Sequence, residues 1–163
     1  MESADIHVLK EVPWQFFGTL TFKQERLPER VRLSMFFTLM RHTAKAHEVK
    51  FKKLLWCLRQ EHGEATGRRH FHFLLAGLPA EACNMRTCFA LKNGWESRKG
   101  GMARVSRFDP RLDAGSYLTK PAGPADPGDA YESAKFGSGA CGLMIAHAVW
   151  KFASSKRQAQ LMR

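Results

Sequence analysis

The chain has 163 residues, 44% of them hydrophobic, which is enough for one compact domain with a buried core and too little for a second enzyme domain beside it. Lys and Arg number 26 against 15 Asp and Glu; the resulting formal charge of +11 favours a polyanionic partner, nucleic acid first, without choosing between DNA and RNA. The N-terminal residues form no apolar core of signal-peptide length and no stretch is apolar enough to span a bilayer, so a soluble, cytoplasmic protein with no membrane partner is expected.

Residues 15–22 (QFFGTLTF) alternate, with Phe16, Leu20 and Phe22 on one side and Phe17, Thr19 and Thr21 on the other, the pattern of a half-buried strand. Pro28 suits the first turn of a helix whose apolar face would be Val31, Met35, Phe36, Leu39 and Met40. Residues 54–61 and 69–75 read as two strands of an antiparallel hairpin, turned by the polar stretch that holds Gly63 and Gly67. A second helix is expected from Pro79 to about residue 92, with Met85, Cys88, Phe89 and Leu91 inward and Asn93-Gly94 closing it, followed by a short strand at 102–107. Asp109-Pro110 has the form of a helix cap and first turn, and Pro121 ends that helix after Lys120. The order βαββαβα predicts an α+β domain, an antiparallel sheet with helices laid on it, complete by Lys120. Residues 121–128 (PAGPADPG) read as a linker, and 129–163 as an extension with one helix and a basic end. Cys57, Cys83, Cys88 and Cys141 lack CxxC spacing, so reduced, mostly buried thiols are expected.

His70 and His72 flank one apolar residue on a predicted strand, so both imidazoles leave the same face. Glu61, on the neighbouring strand, can add a carboxylate, and two imidazoles with one carboxylate leave coordination positions open for a phosphate oxygen, which suits Mn²⁺ or Mg²⁺ better than a closed zinc site. Taken alone, such a pair is more often two solvent-facing residues of an amphipathic strand. The second element is Tyr117-Leu118-Thr119-Lys120, which places a phenol and an ammonium three apart on one side of a helix. A phenol near pKa 10 attacks a phosphodiester only if its proton leaves easily, and a close cation stabilises both phenolate and phosphoryl charge.

These segments together resemble the His-hydrophobe-His endonucleases, and within them the rolling-circle replication initiators. FFGTLTF (16–22) resembles the family's first motif, EHGEATGRRHFHFLL (61–75) the second, and YLTK (117–120) the third, in the family's order. The resemblance implies a ferredoxin-like or RRM-like core, His70, His72 and Glu61 as metal ligands, Tyr117 as nucleophile and Lys120 as its assisting cation. It further implies nicking and joining of single-stranded DNA through a 5′-phosphotyrosine, at an origin or hairpin, with a host helicase as a candidate partner. Having the His pair ahead of the Tyr is unlike conjugative relaxases. Arg68 and Arg69, beside the His pair, are candidate phosphate contacts, as are Lys50, Lys52 and Lys53, although each is equally what a solvated charged face would show. The alternatives are a single-tyrosine transposase of the same chemistry and a non-catalytic module that grips single strands; Tyr131 is expected to be structural.

Overall fold

The computed structural model describes residues 4–62, 68–111, 118 and 143–163. The FFGTLTF alternation becomes strand β1 (Phe16–Phe22), with Phe16, Gly18, Leu20 and Phe22 buried and the residues between them half-buried. Ahead of it lies a helix the sequence reading did not anticipate, α1 (Ala4–Lys10), tied down where the Trp14 indole N–H donates to the Leu9 carbonyl at 2.8 Å.

Helix α2 (Glu29–Ala46) buries Leu33, Phe36, Leu39 and Met40. Pro28 stands one residue before it, in extended conformation, and not in the first turn. Val31, expected inward, instead lines a surface hollow between α2 and α3; Met35 borders the same hollow but packs half-buried against the core, and Leu33 is buried. Strands β2 (Leu55–His62) and β3 (Arg69–Ala76) form the expected antiparallel hairpin, in register from Leu55 opposite Ala76 to His62 opposite Arg69.

Helix α3 (Met85–Ser97) departs from expectation at both ends. Residues after Pro79 make only a single 3-10 turn, Ala80–Ala82, and the helix starts where the Asn84 side chain accepts the Thr87 N–H at 3.0 Å. It then runs through Asn93-Gly94, because Trp95 is worth more buried than a helical glycine costs, about 1 kcal/mol. The Trp95 ring packs edge-on against Phe22 and its N–H donates to the Thr21 carbonyl at 2.8 Å. The inward face is Thr87, Cys88, Leu91 and Trp95; Met85 and Phe89, expected inward, are 51% and 57% exposed.

Strand β4 (Gly100–Arg107) pairs with β1, and the sheet then takes a strand from beyond residue 120: β5 (Leu143–Ile145) pairs antiparallel with β2. Helix α4 (His147–Leu161) follows and touches β2 and α1. The core therefore is not complete at Lys120, since Leu143, Met144, Ile145, Val149 and Ala153 are all buried in it. Sheet order is β4-β1-β3-β2-β5. The β1-α2-β2-β3-α3-β4 run within it is the ferredoxin-like arrangement, which puts β1 and β3 at the centre. The first face of the sheet packs on α2 and α3, with Phe36 against Trp56, Phe71 and Phe73.

Cys57 and Cys88 are buried and Cys83 half-buried, all as free thiols. No helix among the described residues is long and apolar enough to cross a membrane. Of the expected helix after Asp109-Pro110, Asp109 Oδ1 does accept the Arg111 N–H at 3.0 Å, and Leu118 is helical and fully buried. Tyr117, Lys120, the stretch 121–128, Tyr131 and Cys141 lie outside the described residues.

Candidate metal centre

On the second face of the sheet, strand register does the assembly. Glu61 stands opposite His70 and Arg59 opposite His72 across β2 and β3, while Thr19 stands opposite His72 and Thr21 opposite His70 across β1. Because side chains alternate with period two, all of these leave one face. Ligand atoms of Glu61, His70 and His72 lie within 4.8 Å of one another. The two Nε2 atoms sit 3.5 Å (His70) and 3.4 Å (His72) from the same oxygen, Glu61 Oε2.

The outer contacts orient these rings for a cation. His70 Nδ1 is 3.3 Å from the Arg68 carbonyl, which can only accept, so the proton belongs on Nδ1 and the Nε2 lone pair is free. His72 Nδ1 meets Thr19 Oγ1 at 2.9 Å, where the hydroxyl can accept in the same way. Phe17 lies nearly parallel to the His72 ring, 6.0 Å away and inclined by 11°. Two imidazole nitrogens and a carboxylate oxygen thus converge on one small region, an arrangement that could hold a metal ion. Metal–ligand bonds of about 2.1 Å at 90–109° set donors roughly 3.0–3.4 Å apart, close to the two His–Glu61 spacings. Burial, opposed by Glu61 but helped by His70 and Arg59, lowers the His72 pKa to about 4, so this ligand is neutral at physiological pH.

Three protein ligands leave the cation open positions, and the donor set, two borderline nitrogens and one hard oxygen, accommodates a divalent ion. Comparisons with known protein families, with curated proteins and with solved structures find no match. Function here rests on the chemistry of the site alone.

Two features of this site were not read from the sequence. Thr19 was placed on one face of the first strand but given no role at the site, yet its hydroxyl meets His72 Nδ1. Arg59 was not singled out at all; it is 3% exposed, its Nε lies 2.8 Å from Glu61 Oε1, and its Nη1 donates to the Leu118 carbonyl at 2.8 Å. The contact with Glu61 is a charge pair and not an aligned hydrogen bond. Its one sequence signal is position: two residues before Glu61 on a strand, it must share Glu61's face.

Among the predicted phosphate contacts, Arg68 and Arg69 directly precede His70 in the chain; Arg68 is exposed and paired to Glu25 at 3.0 Å, while Arg69 alternates with the histidines on β3 and so leaves the other face of the sheet. Lys50, Lys52 and Lys53 are exposed but precede the far end of β2. Leu55 there is roughly 20 Å from Glu61 at ~3.3 Å per strand residue, so these lysines are not brought to the cluster. Leu118, which follows Tyr117 in the chain, is joined to the cluster through Arg59.

Proposed function

We propose that this chain is a metal-dependent endonuclease and strand transferase that nicks single-stranded DNA through Tyr117, as a rolling-circle replication initiator does. The observation that carries the reading is the cluster of Glu61, His70 and His72, linked by Arg59 to the residue after Tyr117. Tyr117 is the covalent neighbour of that residue.

Glu61, His70 and His72 would hold Mn²⁺ or Mg²⁺, which when bound supplies Lewis acidity toward a phosphate oxygen. The Tyr117 oxygen attacks phosphorus in line, a P–O bond forms to the phenol, and the bond to the 3′ oxygen breaks. That oxygen takes a proton and leaves as a 3′-hydroxyl. The product is a 5′-phosphotyrosine whose ester can be reopened by another 3′-hydroxyl, so cutting and joining are one chemistry. Lys120 stabilises the negative charge that develops on phenolate and phosphoryl oxygens.

A single-stranded substrate is supported by the sheet beside the cluster. Phe17, Thr19 and Thr21 on β1 are only half-buried, and Arg104 on the neighbouring edge strand is exposed directly across from Thr19. An aromatic and a cation on an open sheet face suit stacked bases and a backbone phosphate.

The test is a covalent-adduct assay: labelled single-stranded oligonucleotides incubated with Mn²⁺ or Mg²⁺ and resolved on denaturing gels. Protein-linked DNA is expected for the wild type and not for Tyr117→Phe or His70→Ala/His72→Ala. Cleavage surviving Tyr117→Phe would leave a hydrolytic nuclease, and binding without cleavage would leave a single-strand-binding module.

A further inference from the structure

Arg59 bridges the metal-candidate cluster and Leu118, the residue that follows the nucleophile of the reading above. Burying a guanidinium is costly unless its charge and donors are met, so its partners report why it is there. One is Glu61 Oε1, the carboxylate oxygen turned away from the histidines, at 2.8 Å. Its other oxygen, Oε2, is the one 3.5 Å from His70 Nε2 and 3.4 Å from His72 Nε2. The other is the Leu118 main-chain carbonyl, 59 residues away in sequence, at 2.8 Å. Leu118 itself is fully buried, and Leu143 of β5, buried as well, stands opposite Arg59 in the sheet. The Arg59 side chain thus joins β2 to the Leu118 backbone, with β5 paired alongside.

We infer that Arg59 is a positioning residue: by meeting Glu61 Oε1 and the Leu118 carbonyl at once, it ties the backbone at Leu118, the residue that follows Tyr117, to the metal-candidate cluster. The inference rests on the proposed function for its kinetic consequence. A lysine keeps the charge but is a compact ammonium, without the extended planar group that donates to the Leu118 carbonyl at one nitrogen while another sits against Glu61. The replacement therefore separates charge from tether. Small displacements of a reacting group cost rate on the order of 100-fold, which sets the size of the effect.

Wild type, Arg59→Lys and Arg59→Met are compared in three measurements on the full chain. Titration with Mn²⁺ by calorimetry reads the metal site, single-turnover adduct formation at saturating Mn²⁺ and oligonucleotide reads the chemistry, and hydrogen exchange reads the peptide containing Leu118. Arg59→Lys is expected to bind Mn²⁺ within about tenfold of wild type, yet form adduct on the order of 100-fold more slowly, with faster exchange in the Leu118 peptide and unchanged exchange in the β2–β3 hairpin. An adduct rate within threefold of wild type in Arg59→Lys overturns the proposal. So does a rate deficit in which saturating Mn²⁺ restores the wild-type value, because Arg59 would then serve metal affinity alone. If Arg59→Met fails to fold, Arg59→Lys decides. Wild type forming no adduct would defeat the proposed function; the tether then stands or falls on whether the Leu118 peptide alone loses protection in Arg59→Lys.

Discussion

Thr19 holds the Nδ1 side of His72, and such outer contacts commonly govern metal affinity by 10–100-fold. Thr19→Val, nearly the same shape without the hydroxyl, is expected to weaken Mn²⁺ binding about tenfold in calorimetry, and Glu61→Gln to weaken it further, since it removes the only anionic ligand. Equal affinities in all three proteins would show that the cluster is not the metal site. His72 also makes a pH prediction. Its folded-state pKa is lowered to about 4 by burial, whereas an unfolded imidazole titrates near 6.5, so between these values the unfolded chain binds more protons. The stabilisation is full above about 6.5 and is lost as pH falls toward 4. Metal-free protein should accordingly melt at progressively lower temperature across that window, and His72→Gln should flatten the dependence. A slope unchanged by the substitution would place the titration elsewhere.

Elements are held in place by a few close fits. Gly18 lies under the Phe73 ring, where an added Cβ would fall 2.2 Å from Cε1, well inside contact distance. Gly18→Ala should cost about 1–3 kcal/mol through overpacking of the β1–β3 centre. Trp95 keeps α3 helical past Asn93-Gly94, and Trp95→Ala should cost about 3–5 kcal/mol, whereas Phe89→Ser on the exposed side of the same helix should stay within about 0.5 kcal/mol. Denaturant melts of the three variants separate these cases, and a Phe89→Ser loss as large as that of Trp95→Ala would mean that the helix packs by the face read from sequence. That face was misread because Met85 and Phe89 fit helical spacing as well as the true set does. Periodicity marks an apolar stripe, but only the position of the sheet decides which stripe is covered.

At the scale of the molecule, the sheet is finished by residues distant in sequence from its other strands. β5 covers the β2 edge along Cys57, Leu58 and Arg59, and α4 buries Val149 and Ala153. Removing residues 143–163 uncovers that edge and exposes apolar core, so the truncated chain is expected to lose roughly 5 kcal/mol or more and to self-associate through β2. Unchanged melting and a monomeric mass would show the C-terminal residues to be dispensable. Three residues are too few to display strand periodicity, and LMI is continuous with the apolar start of α4, so the stretch 143–150 reads as one helix until the β2 edge claims its beginning.

The sequence by itself determined the alternating strand β1, the β2–β3 hairpin with its register face, the α+β class, and the three residues Glu61, His70 and His72 that converge. Each depends on period-two alternation or on a short turn, which are local and written in consecutive residues. Only tertiary structure decided what surrounds them. Thr19 and Phe17 reach His72 from a strand more than fifty positions away, α3 turns Trp95 inward, β5 closes the sheet, and a buried arginine joins Glu61 to Leu118. Those contacts arise from how the strands are ordered across the sheet, and spacing along the chain carries no record of that order.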